Sequence, residues 1–368
     1  MSLISADPSR RAFIRQASSV AGAALFSSSP LMGSPKSRRL GVALVGLGNY
    51  ANSELRPALL NHTRYCQLAG VVTGSERKGR AWSHHYGFPE SSVYHYDEMD
   101  QLAANPDIDI VYVVTPNALH AEHSIRAARA GKHVICEKPF TVSVSEAEQV
   151  IHECAKAGVK LSIGYRLHFD PYHQVLRDMA TSPGHEPFTR MNGAFSFVLQ
   201  GNSWRNNREL AGGGSLMDLG VYLIQEACMA AGEQTPLTIT ARELPKQRPA
   251  DFVDVEETIV WSMEFPNGAR CDARTSYNES ANHFRADSAD NWFEMDPTFT
   301  YRNLEGYTTA GPLHFPEVNQ QVLQMDDFAR CILADRPSRL GGEMGLRDTK
   351  ITTAIYRAAQ TGRPEPVR

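Results

Sequence analysis

The sequence predicts two domains: an N-terminal doubly wound Rossmann domain of the α/β class, and an α+β domain built on a mainly antiparallel open sheet. Three observations carry this. A glycine turn follows a short apolar strand at once in residues 41–51, GVALVGLGNYA. Strand and helix patterns then alternate with short connections to about residue 163. Beyond Phe188 the pattern changes to alternating runs punctuated by turn residues.

In chain order, Val42, Ala43, Leu44 and Val45 read as a buried strand, and Gly46-x-Gly48-x-x-Ala51 turns it into a helix. Gly46 permits the tight turn, Gly48 admits a pyrophosphate close to the backbone, and Ala51 lets the helix pack on the sheet. Asn49 and Tyr50, inside the turn, complete the phosphate end of a cofactor site. Residues 68–73 form the second strand. An acid at its end would hold the adenosine ribose of NAD; the chain instead reads Thr73-Gly74-Ser75-Glu76-Arg77-Lys78. Ser75, Arg77 and Lys78 offer a hydroxyl and two cations to a 2′-phosphate, which favours NADP, with NAD as the alternative because of Glu76.

Residues 94–103 read as a small helical connection and 108–114 as a central strand ending at Thr115-Pro116-Asn117. A helix spans 118–130, a strand 133–136, a helix 143–157 and a strand 160–163; a helix over 169–179 leads away. The second domain has strand candidates at 191–200, 237–242, 256–265, 269–277, 284–287 and 292–295. A glycine run (212–214) precedes a helix over 216–231 between the first two, and helices at 319–333 and 345–361 close the chain. The expected division is 1–37 export signal and flexible arm, 38–163 dinucleotide-binding domain, 164–340 substrate and oligomerisation domain, and 341–368 a helix and tail packing back on the body.

Composition narrows the function classes. The chain has 368 residues, enough for two cores, and a formal charge of -4 from interspersed signs. With no basic block beyond residues 36–39, nucleic acid is not an expected partner. The six cysteines are scattered without CxxC spacing, as buried thiols would be; neither a disulfide framework nor a metal site is expected. The N-terminus is different. Ser9-Arg10-Arg11-Ala12-Phe13-Ile14-Arg15 precedes a small apolar run over 17–26 and a Ser/Pro/Gly stretch to Pro35. That order resembles a twin-arginine export signal and implies a periplasmic protein, a cytoplasmic protein with a basic arm being the alternative. No other stretch approaches a membrane span.

Lys138 follows the strand at 133–136, at the strand end where open parallel sheets bind ligands. An ammonium there would stabilise charge developing on a substrate oxygen. Whether Pro139 is cis, which would fix the lysine's direction, the sequence leaves open. Asp218 and Tyr222, four apart, share a helix face, and a phenol or carboxylate near that lysine makes a proton-transfer group for an alcohol/carbonyl pair. Arg166, Trp204 and Arg205 add donors and an aromatic plate suited to a polyhydroxylated ligand, or to interdomain salt bridges. His168 is a further polar candidate.

GLGNYA, TPNALHAEH (115–123), AGKHVICEKPF (130–140), IGYRLHFDP (163–171), WRNNRELAGGGSLMDLGVY (204–222) and AAQTGRP (358–364) together resemble the glucose–fructose oxidoreductase family of Gfo/Idh/MocA-type oxidoreductases. Within it the chain is most similar to the exported, periplasmic branch, in which a tightly held NADP is reduced by one sugar and reoxidised by another. The resemblance implies that Lys138, Tyr222 and Asp218 form the catalytic cluster and that Lys138, Arg166, Trp204, Arg205, Asp218 and Tyr222 meet the substrate. It further implies that Thr115, Pro116, Asn117, His120, Glu137, Lys138 and Arg166 line the cofactor cleft, and that the protein is a homodimer or homotetramer built through the open sheet. Residues 183–201 are compact and 282–308 match the family only loosely. An ordinary exchanging NAD(P)-dependent sugar dehydrogenase, and a non-catalytic nucleotide- or sugar-binding protein on this fold, are the alternatives.

Overall fold

The structure, a computed structural model, describes residues 38–368. The export motif and most of the arm lie outside the described residues. Six parallel strands, β1 (Leu40–Val45), β2 (Cys66–Val72), β3 (Val93–Tyr94), β4 (Ile110–Val113), β5 (His133–Cys136) and β6 (Leu161–Ile163), form one sheet in the order β3-β2-β1-β4-β5-β6. Helices cover both faces, so Val42 to Val45 are all fully buried and read as a continuous apolar run. The connecting helices are α1 (Arg56–Asn61), α2 (Glu76–Tyr86), α3 (His120–Arg129) and α4 (Val144–Lys156). A wide π-helical turn, Ala51–Leu55, precedes α1. Strand order reverses between β1 and β4, which opens the ligand crevice at their carboxyl ends.

The second half comprises α5 (Pro171–Thr181), β7 (Arg190–Ser196), α6 (Arg208–Ala211), α7 (Val221–Ala230), β8 (Thr238–Glu243), β9 (Thr258–Glu264), β10 (Arg270–Ser276), β11 (Ala281–Asp287), β12 (Trp292–Met295), β13 (Gly306–Thr308), β14 (Gly311–Pro312), α8 (Gln320–Leu333), α9 (Gly342–Thr361) and β15 (Glu365–Pro366). Its nine-stranded sheet runs β14-β13-β12-β11-β7-β10-β9-β8-β15. Every pairing is antiparallel except β7 with β10, because the chain leaves β7 through α6 and α7 before returning through three meandering strands. The apolar helix α7 packs under one face, burying Leu223, Ile224 and Ala227 with Met191, Trp261 and Phe284. The other face is polar.

The halves are knitted together by the last helices. Met325, Phe328 and Ala329 of α8 enter the nucleotide-side core beside Leu44, Leu55 and Ile110. Asp326 of the same helix accepts hydrogen bonds from the amides of Arg64 and Tyr65 at 2.9–3.0 Å. The six cysteines are all buried and unpaired. Among the described residues no helix is long and apolar enough to cross a membrane, and no cluster of three His, Cys, Asp or Glu side chains could hold a metal ion.

Candidate active site

The nucleotide end is built by the glycine turn. Gly46 has φ +97°, and a Cβ there would lie 2.9 Å from the carbonyl oxygen of Val114. Gly48 is the opposite case: a Cβ would meet nothing within 4 Å, leaving the open approach a pyrophosphate needs at a helix start whose first amides lack intrahelical partners. Ala51 is fully buried against the sheet. The residues present therefore fit a dinucleotide. Gly46→Ala is expected to lose roughly 2 kcal/mol of stability through backbone strain and the Val114 clash. Gly48→Ala should keep the parent's urea midpoint and lose nucleotide affinity instead; denaturation and nucleotide titration of both variants check this.

At the end of β2, Ser75 caps α2 by accepting the Lys78 amide at 3.3 Å. The Lys78 ammonium reaches back to donate to the Leu47 carbonyl in the glycine turn, and Arg77 stays exposed beside it. A hydroxyl, a helix start and two cationic side chains thus stand at the end of β2, one cation turned to the glycine turn. Asn49 is exposed at the turn, and Tyr50 is held by Gln321, whose Nε2 donates to the phenol at 3.3 Å.

The reacting end converges from both domains. The Lys138–Pro139 bond is cis. The Lys138 ammonium donates to the Asp218 carbonyl at 3.0 Å, lies 3.7 Å from the Asp218 carboxylate, and sits 4.4 Å from the centre of the Tyr222 ring. Arg166 donates from Nε to the Tyr222 hydroxyl at 3.4 Å. Asp218 Oδ2 accepts from Arg205 Nε at 2.8 Å and from the Tyr277 hydroxyl at 3.1 Å. Arg205 in turn stacks 4.6 Å from the centre of the half-buried Trp204 ring.

Charge balance sets the protonation states. Burial alone would raise the Tyr222 phenol, but Arg166 and Lys138 outweigh both it and the opposing Glu137, and the phenol lies below its ordinary value. For Asp218, burial is likewise overcome by Arg205 and Lys138, so its carboxyl is held below the usual range and stays ionised. Glu137 is raised, because burial exceeds the help of its Tyr112 hydrogen bond and of Lys138. An ionised carboxylate, an ammonium and an easily ionised phenol within one cleft can orient a hydroxyl and exchange its proton.

Several of the expected site residues are also tied into the protein's own hydrogen-bond network. The glycine run makes close approaches within the protein: a Cβ on Gly213 would lie 1.9 Å from the Tyr356 hydroxyl, and one on Gly214 would lie 1.9 Å from the Glu256 carbonyl. The run lets the Glu256 carboxylate accept the amides of Gly214 and Leu216 at 2.9 Å, anchoring the helix start that carries Asp218. Arg166, expected in contact with cofactor and substrate, has its donors taken by Tyr222, Gln320, Phe299 and Thr300. His120, expected to bind cofactor, sits with its ring nitrogens 2.8 and 2.9 Å from the carbonyl oxygens of Pro139 and Thr115; burial lowers its pKa, so its single N–H donates to one of them. Pro116 starts the short helical turn that carries Asn117, whose side chain donates to the Ala211 carbonyl at 2.9 Å. His168 meets Gln225 at 2.7 Å, and burial drives its pKa down to about 3, a neutral core histidine.

Tyr277, Tyr112, Glu256 and the α8 glutamines are functional neighbours that the sequence reading missed. Gln324 donates to the Tyr112 hydroxyl at 2.8 Å, and Tyr112 donates to Glu137 at 2.7 Å. Their partners lie far off in sequence, so no local spacing announces them.

Comparison with known proteins agrees with this geometry. Residues 40–165 match the model of the GFO_IDH_MocA oxidoreductase family with an NAD-binding Rossmann fold, and residues 188–296 match the GFO/IDH/MocA C-terminal domain. An aldose–aldose oxidoreductase from Caulobacter crescentus, solved with glycerol, is 37% identical, covers 89% of this chain and 100% of its own, and superposes with a TM-score of 0.84. D-xylose 1-dehydrogenase [NADP(+)] from Haloarcula marismortui is 25% identical over 87% of this chain and 91% of its own. D-glucoside 3-dehydrogenase from Escherichia coli is 25% identical over 88% of this chain and 96% of its own.

Proposed function

The chain belongs to the Gfo/Idh/MocA oxidoreductase family, and from that premise we propose that it is an NADP-dependent aldose oxidoreductase that passes hydride between two sugars. That it is an NAD(P)-dependent oxidoreductase follows from the family match and from its relatives. The single observation that carries the finer reading is the Lys138, Asp218 and Tyr222 cluster, assembled from two domains at the carboxyl end of β5. Aldose substrates are supported by the names of the aldose–aldose oxidoreductase and the xylose dehydrogenase. NADP is supported by Ser75, Arg77 and Lys78, which stand where an acid would favour NAD.

The bound nicotinamide supplies the hydride acceptor and donor. The chain's residues do the rest. Tyr222 takes the proton of the substrate hydroxyl as the adjacent C–H bond breaks, and returns it in the reverse direction. Lys138 holds the oxygen on which charge develops. Asp218, fixed by Arg205 and Tyr277, keeps the ammonium in place and presents a carboxylate to a neighbouring hydroxyl. Trp204 offers an apolar plate to the sugar ring.

Two sugars exchanging through one nucleotide require a cofactor that stays. Mass spectrometry of the protein purified without added nucleotide and then denatured tests this. One NADP per chain is the expected result, and NAD alone would overturn the phosphate assignment. An empty chain that turns over an aldose with added NADP would establish instead the ordinary exchanging dehydrogenase, the reading favoured by the xylose dehydrogenase relative.

The same reading includes twin-arginine export to the periplasm through residues 9–26. It also includes a homodimer or homotetramer joined through the polar face of the second sheet, where Asn192, Arg242, Ser262, Asp272, Arg274 and His283 surround a depression of about 670 Å³.

A further inference from the structure

Arg166 is an anchored guanidinium: besides the Tyr222 hydroxyl and the backbone carbonyls of Phe299 and Thr300, it meets one side-chain acceptor, Gln320, 154 residues away. Gln320, the first residue of α8, accepts from Arg166 Nη1 with its side-chain oxygen and donates from Nε2 to Asp170 Oδ2 at 3.0 Å. This pairing fixes which way the amide faces. Asp170 is itself held: its Oδ1 accepts the amides of Tyr172 and His173 at 2.9 and 3.3 Å and lies 3.1 Å from His173 Nδ1. The far ring nitrogen of His173 lies 3.2 Å from Thr298 Oγ1 and 3.5 Å from Glu226 Oε1. All six residues are at most 3% exposed. A buried polar chain of this kind contributes little net stability over apolar packing. What it delivers is geometry at its open end, where Arg166 meets the phenol.

We propose that Gln320 is a positioning residue for the hydride-transfer reaction, holding the Arg166 guanidinium against the Tyr222 hydroxyl, with Asp170 and His173 fixing the direction of its amide. The proposal rests on the assignment of Tyr222 as the proton-transfer group. The charged and titratable groups facing that phenol are Lys138 and Glu137 from the turn after β5, Arg166 from the turn after β6, Tyr301 from the β12–β13 connection, and Tyr50 from the glycine turn. Lys138 has its own anchor on the Asp218 carbonyl. Loss of Gln320 leaves Arg166 the Phe299 and Thr300 carbonyls but frees its Nη1 side to turn, so it weakens only the Arg166 share of the stabilisation of the phenolate.

The experiment uses the full chain with its nucleotide and Cζ-labelled tyrosine, the Tyr222 resonance being identified by its absence in Tyr222→Phe. Gln320→Met keeps the length of the side chain and removes both hydrogen bonds. Its phenol is expected to ionise about one pH unit higher than the parent's. In the same variant kcat falls about tenfold at a pH below that midpoint and KM changes less than about twofold, the split expected when only transition-state stabilisation is lost. Asp170→Asn serves if Gln320→Met does not fold: its amide sets a donor against Gln320 Nε2, turns that amide over, and produces the same upward shift. A folded variant that loses stability but leaves the Tyr222 midpoint unmoved overturns the proposal, because structural support alone predicts that outcome. Full activity in Tyr222→Phe would defeat the proton-transfer assignment instead, and the resonance shift in Gln320→Met would still report on the positioning.

Discussion

Tyr222→Phe is expected to lower kcat by about 10²–10⁴-fold, the usual worth of a positioned proton-transfer group, while nucleotide stays bound. The phenol hydroxyl makes no hydrogen bond to the cofactor turn; its one hydrogen-bond partner among the described residues is Arg166. The ring, packed edge-on against Phe195 at 5.4 Å between centroids, is retained in phenylalanine, so the fold should be indifferent. In the oxidising direction the phenolate is the active form, so activity rises with pH through the Tyr222 ionisation. Arg166 and Lys138 move that ionisation below the ordinary tyrosine value, and the rising limb moves with it. Stopped-flow reduction of the bound nucleotide by an aldose across pH checks both statements. A variant that reduces the nucleotide at the parent rate would end the assignment.

Lys138→Met should lower kcat/KM by roughly 10²–10³-fold, the scale for removing one preorganised donor at a developing charge. A second consequence distinguishes it from a simple loss of binding. With the ammonium gone from its place 4.4 Å from the Tyr222 ring, the phenol loses one of its two stabilising cations, so the rising limb shifts to higher pH. Asp218 keeps Arg205 and Tyr277 and is not left as an unpaired buried charge, so the variant should fold. A pH–rate profile together with a nucleotide titration reads this: affinity within a few-fold of the parent, a depressed plateau and a displaced limb. An unmoved limb would remove Lys138 from the electrostatic cluster.

What could be read from the chain alone follows from where the information is stored. Burial of the strand from Val42 to Val45, the positive φ of Gly46 and the helix of α4 capped by Ser143 are encoded within a few residues, and periodicity and turn chemistry find them. The shared face of Asp218 and Tyr222 is local too, although the first turn there is π-helical, which no spacing rule anticipates. Short pairings such as β13 with β14, and β15 along β8, depend on edges set by tertiary packing and carry almost no local pattern. The glycine run is an intermediate case. A demand for close approach is visible in the sequence, but whether a ligand or Tyr356 and Glu256 make that approach is not. Arg166 shows the limit most clearly: an arginine near a strand end is visible in the sequence, but its partners at Phe299, Thr300 and Gln320 are not.

The placement of α8 also has a consequence for biosynthesis. The chain is made from its amino end, yet the core behind the glycine turn is finished by Met325, Phe328 and Ala329. Phe328 is almost completely buried, and sealing such a side chain is worth about 1.5–3 kcal/mol. A nascent polypeptide paused after β6 therefore exposes an unsealed apolar surface, and it lacks Gln321 and Gln324 against Tyr50 and Tyr112. The core behind the glycine turn is thus completed only once α8 has been made and has docked.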